Sequence, residues 1–397
     1  MNKKLLGLFL IVFVSCTTVS WRAAASPRGI WVTRFDYKTA ADVKQIVQNV
    51  RSLGANQIYF QVRGNATVFY PSQIEPWAWE LNSGSPETIG KDPGWNPLQA
   101  ALDESQKQGL ELHAWLNVLP GWRGVIPAPK GTNHPWVTHR SWFMIDHRGV
   151  LLRPARTFYS FLSPGSPEVR SYLGALFGEL ARNYPQLDGI HMDYIRYPGR
   201  TEVGNFRDFS YDAASVNAFK KIYKKNPQYD LPEWQRFKCD QINASIRAIR
   251  DAIHSVTTSI QLSATCFADL SKATEEKGQD PRDWLQKGLV DFVVPMAYER
   301  TTDGLASRLE TWNQSFDDSS LRKMAIGLNV DFNQSSECER QLEYVQKQGY
   351  GGVLLFAYSS LFPNHQANLK AEVIRAAWHE QLLRDLLQHS SSPLLSQ

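Results

Sequence analysis

The sequence is poor in cysteine, with four cysteines in 397 residues. Cys16 stands alone near the N-terminus, and the other three are far apart at positions 239, 266 and 338. This spacing matches neither a zinc motif nor a disulfide framework. A Gly-rich phosphate loop is also missing after the first predicted strand, which argues against a nucleotide-binding fold. We therefore expect neither a metal nor a cofactor.

The sequence also has no concentration of basic residues and no long apolar run. The net charge is +4 and the Lys and Arg residues are scattered, so a nucleic-acid partner is not expected. A membrane-spanning helix needs about twenty apolar residues. The apolar run Leu5–Val14 is about half that length and follows Lys3 and Lys4. It is typical of a secretion signal.

The end of this signal predicts how the chain is processed. Cys16 follows the small Ser15, which favours cleavage before Cys16 and lipid attachment to it, as in bacterial lipoproteins. Ordinary signal cleavage near Ala23–Ala25 is the alternative. Either outcome predicts export to the cell envelope, and lipidation would tether the protein to a membrane. We divide the chain into a signal peptide (1–15), a linker (16–27), one catalytic domain (28–388) and a flexible tail (389–397), and we expect a monomer.

Short apolar runs alternate with helix-like stretches along the predicted domain, and they predict eight strands. The strands are Gly29–Phe35, Gln57–Val62, Glu111–Leu116, Leu187–Asp193, Ile260–Cys266, Phe292–Ala297, Lys323–Leu328 and Gly352–Ala357. Regular alternation of strands and helices indicates a parallel sheet, and eight repeats favour a closed (β/α)8 TIM barrel. Pro97 and Pro167 suit first helical turns, and Gly109 suits a helix end. An open doubly wound sheet is the alternative.

Two long connections follow the second and third predicted strands, from Arg63 to about Asn96 and from Asn117 to about Ser166. Both belong on the face where TIM barrels carry their chemistry. They are rich in tryptophan, at positions 77, 79, 95, 122, 136 and 142. Because aromatic rings stack on sugars, we interpret these loops as walls of a carbohydrate cleft.

Polar residues cluster at the predicted C-terminal ends of the strands, and carboxylates dominate among them. No Ser–His–Asp arrangement accompanies them, so the set favours glycoside hydrolysis, in which one acid protonates the leaving oxygen and a second carboxylate attacks or activates water. The residues predicted to bind substrate are Arg34, Asp36, Gln61, Arg63, His113, Trp115, Asn117, His191, Tyr194, Arg196, Tyr298, Asn329 and Tyr358.

Three acids are candidates for catalysis. Asp193 ends the fourth predicted strand and is the first choice, as nucleophile or charge stabiliser. The alternative is a structural salt bridge to Arg196 or Arg63. Glu299 follows the sixth strand and is the candidate general acid. The alternative is that Glu299 is a solvated loop residue paired with Arg300. Asp269, just beyond the fifth strand, is the alternative acid.

Five motifs in order resemble the glycosyl-hydrolase-like 10 family of bacterial envelope proteins. They are Arg28–Val32 (RGIWV), Phe60–Gly64 (FQVRG), Tyr70–Trp77 (YPSQIEPW), Leu110–Asn117 (LELHAWLN) and Asp188–Asp193 (DGIHMD). The resemblance covers most of the chain after Arg28. It implies a TIM-barrel glycosidase that acts on a polysaccharide containing glucosamine units, such as peptidoglycan glycan strands.

The chain departs from related patterns at two places. Members of the family often carry two consecutive acids where this chain has Asp193-Tyr194, and a Gln-x-Tyr-Trp pattern where it has Met296–Glu299. The stretch Asp188–Ile195 is similar to the chitinase motif, but Ile195 replaces the catalytic Glu of that motif. A silent glycan-binding protein is therefore the competing interpretation, and a metal-dependent deacetylase is a third one.

Overall fold

The computed structural model describes residues 26–123, 131–153, 159–199, 208–228 and 230–390. The predicted signal peptide (1–15), Cys16, most of the predicted linker (16–25) and residues 391–397 of the predicted tail lie outside the described residues. None of the described helices combines the length and the apolar character that crossing a membrane requires.

Eight parallel strands close into a barrel, which confirms the predicted TIM-barrel fold. The strands of the described residues are β1 (Arg28–Val32), β2 (Gln57–Arg63), β3 (Glu111–Asn117), β4 (Pro120–Arg123), β5 (Tyr159–Phe161), β6 (Gly189–Asp193), β7 (Gln261–Phe267), β8 (Phe292–Met296), β9 (Ala325–Asn329) and β10 (Gly352–Phe356). All except β4 and β5 belong to the barrel, and β10 pairs with β1 to close it. The strands β4 and β5 form a separate two-stranded antiparallel sheet.

Helices surround the barrel between its strands. They are α1 (Ala40–Ser52), α2 (Pro97–Gln108), α3 (Pro135–Thr138), α4 (Pro167–Asn183), α5 (Ala213–Tyr223), α6 (Pro232–His254), α7 (Leu270–Glu275), α8 (Pro281–Gln286), α9 (Thr302–Ser315), α10 (Asp318–Leu321), α11 (Ser335–Lys347), α12 (Tyr358–Leu361) and α13 (Leu369–Ser390). Pro97 and Pro167 occupy the first turns of α2 and α4, as predicted. Gly109 ends α2 in a left-handed conformation (φ 63°), which glycine adopts without steric cost.

The first barrel strand ends earlier than the sequence predicts. Strand β1 stops at Val32, because Thr33 and Asp36 close a turn directly after it. The Thr33 N–H donates to the Asp36 carboxylate at 2.7 Å, and the Asp36 N–H donates to the Thr33 carbonyl at 3.0 Å. Arg34 and Phe35 therefore lie in a turn above the barrel rim instead of in the sheet.

A buried ion pair ties together the two long segments that follow β2 and β3. Arg63 Nε lies 2.8 Å from one oxygen of Glu75, and both side chains are fully buried. The same guanidinium donates to the carbonyl of Val118 at 3.0 Å and also to that of Asn117. The Tyr172 hydroxyl of α4 donates to Glu75 as well. These contacts fix where each segment leaves the barrel.

We predict that Glu75→Gln destabilises the protein by about 3–5 kcal/mol, because it leaves the Arg63 charge buried without a partner. The matched control is Glu104→Gln, which breaks the pair that Glu104 makes with the exposed Lys107 at the surface of α2 and should not change stability measurably. Chemical denaturation of both variants measures the difference. Equal midpoints for Glu75→Gln and the wild type would contradict the role assigned to this pair.

Candidate active site at the C-terminal rim of the barrel

A cavity of about 370 Å³ opens at the C-terminal ends of the barrel strands. This is the face on which TIM-barrel enzymes carry their active sites. The described residues that line it are Thr33, Arg34, Phe35, Gln61, Trp115, Asn117, Asp193, Tyr159, Tyr194, Arg196, Phe267, Met296, Tyr298 and Phe356. Among these residues Asp193 is the one carboxylate.

Asp193 is held at the last position of β6, opposite Asn117 of β3. Its Oδ1 accepts hydrogen bonds from the Thr265 hydroxyl and from the Tyr194 N–H, each at 2.7 Å. Tyr194 has a left-handed backbone (φ 52°), which is uncommon for an aromatic residue and turns the chain as it leaves the strand. One carboxylate oxygen is thus fixed by the protein, which leaves Oδ2 for a substrate.

Burial raises the pKa of the Asp193 carboxyl above its usual value, because the charged form loses its hydration. The Thr265 hydroxyl, the Tyr194 N–H, the Arg196 guanidinium and the Trp115 indole act in the opposite direction. A carboxyl that keeps its proton more readily than usual suits a general acid, whereas the sequence predicts Asp193 as nucleophile or charge stabiliser.

A polar network forms one side of the cavity. Arg34 donates through its backbone N–H to Gln61 Oε1 at 3.1 Å, and Gln61 Nε2 donates to Asn117 Oδ1 at 3.2 Å. The Arg34 guanidinium also pairs with Glu80 at 3.0 Å and donates to the Tyr159 hydroxyl at 3.2 Å. The chain holds these side chains in fixed positions before any ligand binds, which limits the entropy lost on binding.

Aromatic rings form the other walls. The Arg196 guanidinium lies 4.6 Å from the ring centre of Tyr194 and 5.2 Å from that of Phe267. Tyr298 stacks on Phe356 with ring centres 5.8 Å apart. Phe35 stands at the rim with 56% of its surface exposed, which is unusual for a large apolar side chain. Exposed aromatic faces beside polar groups suit the alternating apolar and hydroxyl surfaces of a sugar ring.

Eight of the predicted site residues meet in this cavity. They are Asp193 and the predicted substrate-binding residues Arg34, Gln61, Trp115, Asn117, Tyr194, Arg196 and Tyr298. The six tryptophans that suggested cleft walls are absent from the described lining. Two of them instead pack on each other, Trp79 against Trp122 with ring centres 5.3 Å apart.

Six of the described lining residues are not predicted from the sequence, namely Thr33, Phe35, Tyr159, Phe267, Met296 and Phe356. Three of them follow from strand alternation once the strand ends are known, because successive side chains point to opposite faces. Phe267, Met296 and Phe356 each occupy the last position of their strand. Tyr159 belongs to β5 of the separate two-stranded sheet, and no sequence pattern predicts its position in the cavity.

The two further predicted acids lie outside the cavity lining. Glu299 Oε1 accepts from Arg308 Nε at 2.9 Å, and Asp269 Oδ2 accepts from Nη1 of the same arginine at 3.2 Å. Asp269 also caps α7 by accepting the Lys272 N–H. Their catalytic assignment stays a prediction, which this geometry does not favour.

Arg63 is prevented from lining the cavity by an irregularity in its strand. Gln61 and Arg63 would share one face of a regular strand, but the register of β2 against β3 shifts between them. Gln61 faces the cavity, whereas Arg63 bonds Glu75 and two backbone carbonyls. It positions the backbone of Asn117 instead of lining the cavity.

The two predicted histidines fill the barrel interior below the cavity. His191 Nε2 accepts from Trp31 Nε1 at 3.1 Å, and its Nδ1 lies 2.8 Å from the Ser263 hydroxyl. Burial lowers the pKa of His191 well below its usual value, so the ring is neutral. His113 stacks on Tyr59 deeper in the barrel, with ring centres 4.7 Å apart. Both residues support the cavity floor.

The remaining predicted binding residues have other partners. Asp36 closes the turn with Thr33. Asn329 Oδ1 accepts the Asp331 N–H at 2.8 Å. The Tyr358 hydroxyl accepts from Asn49 of α1 at 2.8 Å. None of the three lies in the described lining of the cavity, so their predicted role in binding stays a prediction.

We predict that Asp193→Asn raises the stability of the protein at neutral pH. The pKa of Asp193 is raised in the folded state, so above pH 3.8 its ionisation is less favourable in the folded chain than in the unfolded chain. The neutral amide of asparagine avoids this loss of stability. The gain should disappear as the pH falls below 3.8, where the folded and unfolded chains both keep the proton. Thermal unfolding across this pH range measures the difference, with the exposed Asp230→Asn as a control. A variant less stable than the wild type at neutral pH would contradict the prediction.

Solved structures similar to this chain support the fold assignment. The glycoside hydrolase domain of PgaB (BpsB) from Bordetella bronchiseptica has a TM-score of 0.64 and 13% identity, covering 89% of this chain and 99% of that domain. The catalytic domain of β-amylase from Paenibacillus polymyxa has a TM-score of 0.60 and 13% identity, covering 89% of this chain and 97% of that one. At this level of identity the likeness shows a shared barrel fold.

Sequence comparison shows the family. Glycosyl hydrolase DigH of Escherichia coli (strain K12) is 26% identical over 304 residues, covering 68% of this chain and 65% of that protein. Glycosyl hydrolase YngK of Bacillus subtilis (strain 168) is 25% identical over 270 residues, covering 64% of this chain and 48% of that protein. The matches thus span just under two thirds and about half of these relatives. The family model Glycosyl hydrolase-like 10 matches residues 26–337, and the chain belongs to this family.

Proposed function

We propose that the protein is a glycoside hydrolase that cleaves peptidoglycan glycan strands or a related amino-sugar polysaccharide. The observation that carries this proposal is the buried Asp193, which stands at a strand end in an aromatic cavity on the catalytic face of the barrel. Membership of a glycosyl-hydrolase-like family supports the reaction class. The substrate class rests on the family resemblance of the sequence motifs.

Asp193 is suited to protonate the oxygen of the glycosidic bond that breaks. In this step the proton moves from Asp193 Oδ2 to the leaving oxygen as the bond to the anomeric carbon breaks, and the sugar left behind gains oxocarbenium character. A water molecule then bonds to the anomeric carbon and gives up a proton, which restores the protonated form of Asp193. The raised pKa keeps the proton available, and the bonds to Oδ1 hold the carboxyl in place. After leaving-group departure the Arg196 guanidinium favours the carboxylate.

The competing function is glycan binding without hydrolysis. It is favoured by one observation, that Asp193 is the one carboxylate among the described residues lining the cavity. Most glycosidases use two carboxyl groups, about 5 Å apart in retaining enzymes and roughly 6.5–9.5 Å apart in inverting ones. An activity measurement with matched variants separates the two functions.

We predict that the purified protein releases soluble fragments from denuded peptidoglycan strands and that Asp193→Asn lowers this rate by about a hundredfold or more, because general acid catalysis supplies rate factors of this size. Mass spectrometry of the products measures the activity. The matched controls are Glu299→Gln and Asp269→Asn, which lose contacts to Arg308 outside the cavity and should retain much more activity.

Three results would contradict this prediction. Full activity in Asp193→Asn would remove Asp193 from the mechanism. Strands that bind the wild type but remain uncut, across several glycan types, would establish the binding function instead. A loss in Glu299→Gln as large as in Asp193→Asn would support Glu299 as the second carboxylate.

We also propose that the protein is exported and attached to a membrane through a lipid on Cys16, which rests on the N-terminal sequence alone. The variant Cys16→Ser should move the protein from the membrane fraction to the soluble envelope fraction, because one point of attachment is lost. Cell fractionation followed by immunoblotting measures the distribution. An unchanged membrane fraction in Cys16→Ser would contradict the proposal.

A further inference from the structure

The floor of the cavity contains a buried donor without a partner. The Trp115 indole N–H has no hydrogen-bond partner among the described residues, and the Trp115 side chain is 5% exposed. It lies close enough to Asp193 to lower the pKa of that carboxyl, yet it does not reach it with hydrogen-bonding geometry. Leaving a buried N–H unpaired is unfavourable, because the group has lost its hydration without gaining a protein acceptor. Such a cost is expected where a ligand supplies the acceptor.

A second donor lies beside the same carboxylate. The charge of Asp193 contributes to the raised pKa of the Tyr298 hydroxyl, after burial as the main cause, so the two groups are near each other. The Tyr298 ring is fixed by stacking on Phe356. Because its pKa is well above 10, the hydroxyl keeps its proton and can donate.

The surface around these two donors is mostly apolar. Phe267, Met296 and Phe356 occupy the last positions of the barrel strands β7, β8 and β10 and line the same cavity. A group that fits this site has an oxygen that accepts hydrogen bonds and a small apolar end. A sugar hydroxyl satisfies the first requirement but brings no apolar end, whereas an acetamido group satisfies both.

We propose that this part of the cavity is a recognition site for the 2-acetamido group of an N-acetylated amino sugar. Its carbonyl oxygen accepts hydrogen bonds from the Trp115 indole N–H and the Tyr298 hydroxyl, and its methyl group packs against Met296 and the neighbouring rings. The inference rests on the proposed function, because it specifies which sugars the cavity accepts beside Asp193. N-acetylated polymers are then the preferred substrates over deacetylated and plain glucose polymers.

The experiment compares three probes of equal length, namely N-acetylchitohexaose, chitosan hexamer and cellohexaose. Binding is measured by calorimetry on the Asp193→Asn protein, so that no probe is consumed. We expect the N-acetylated probe to bind at least about tenfold more tightly than cellohexaose, since two hydrogen bonds and a buried methyl group distinguish them. In the same background Trp115→Phe and Tyr298→Phe should each weaken the binding of N-acetylchitohexaose by about two- to tenfold more than the binding of cellohexaose.

The matched control is Tyr159→Phe, which also removes one hydroxyl from the cavity wall. That hydroxyl accepts from Arg34 Nη2, so its loss should weaken the binding of all three probes to a similar extent and keep the preference. Equal affinity of the Asp193→Asn protein for the three probes, or no binding of any probe, would overturn the inference. So would equal losses for all probes in Trp115→Phe and Tyr298→Phe.

Hydrolysis of the same probes by the wild type separates this inference from the proposed function. A preference in binding without hydrolysis of any glycan would contradict the proposed function and leave the acetamido site in place. Hydrolysis without a preference for the N-acetylated probe would support the proposed function and contradict the acetamido site.

Discussion

The parallel arrangement of the eight barrel strands is the constraint on which the site depends. Parallel strands in a closed barrel all end at one rim, so side chains far apart in sequence meet there. Asp193 and Asn117 face each other across paired strands, although 76 residues separate them. Thr265, on the next strand, completes the hydrogen bonds to the same carboxylate. The fold thus supplies the donors that hold a carboxyl group in a cavity where it would otherwise be costly to bury.

The barrel also fixes the segments that rise above this rim. The Arg63–Glu75 pair is fully buried and joins the segment after β2 to the start of the segment after β3. The two-stranded sheet of β4 and β5 then brings Tyr159 over the rim, where its hydroxyl contacts Arg34. Loop residues at the site are therefore positioned by buried contacts with the scaffold, as a preorganised catalytic or binding site requires.

The fold and the centre of the site could be predicted from the sequence because both depend on local pattern. Alternation of strands and helices gives the barrel, and the end of an apolar strand gives Asp193. The period of two within each strand also places Gln61, Trp115 and Asn117 on the inward face. Asp193 and Tyr194 follow from their position at the end of such a strand.

The sequence is less informative where the position of a side chain depends on tertiary contacts. The shift in register within β2 sends Arg63 towards Glu75, and no single-residue pattern reveals it. His113 remains deep in the barrel, where the absence of a side chain at Gly189 makes room for its ring: a Cβ there would lie 2.0 Å from His113 Nδ1. The sequence also does not show which basic residue pairs with a given acid. Glu299 is a candidate from its position after a strand, but in the structure its carboxylate pairs with Arg308.

The most direct test of the account is a crystal structure of the Asp193→Asn protein with a bound N-acetylated oligosaccharide. We expect a sugar ring inside the cavity, with a glycosidic oxygen within hydrogen-bonding distance of residue 193 and the oligosaccharide passing over Phe35 at the rim. An oligosaccharide bound elsewhere on the barrel, with this cavity holding only solvent, would contradict the central claim that glycans are recognised and cleaved at Asp193.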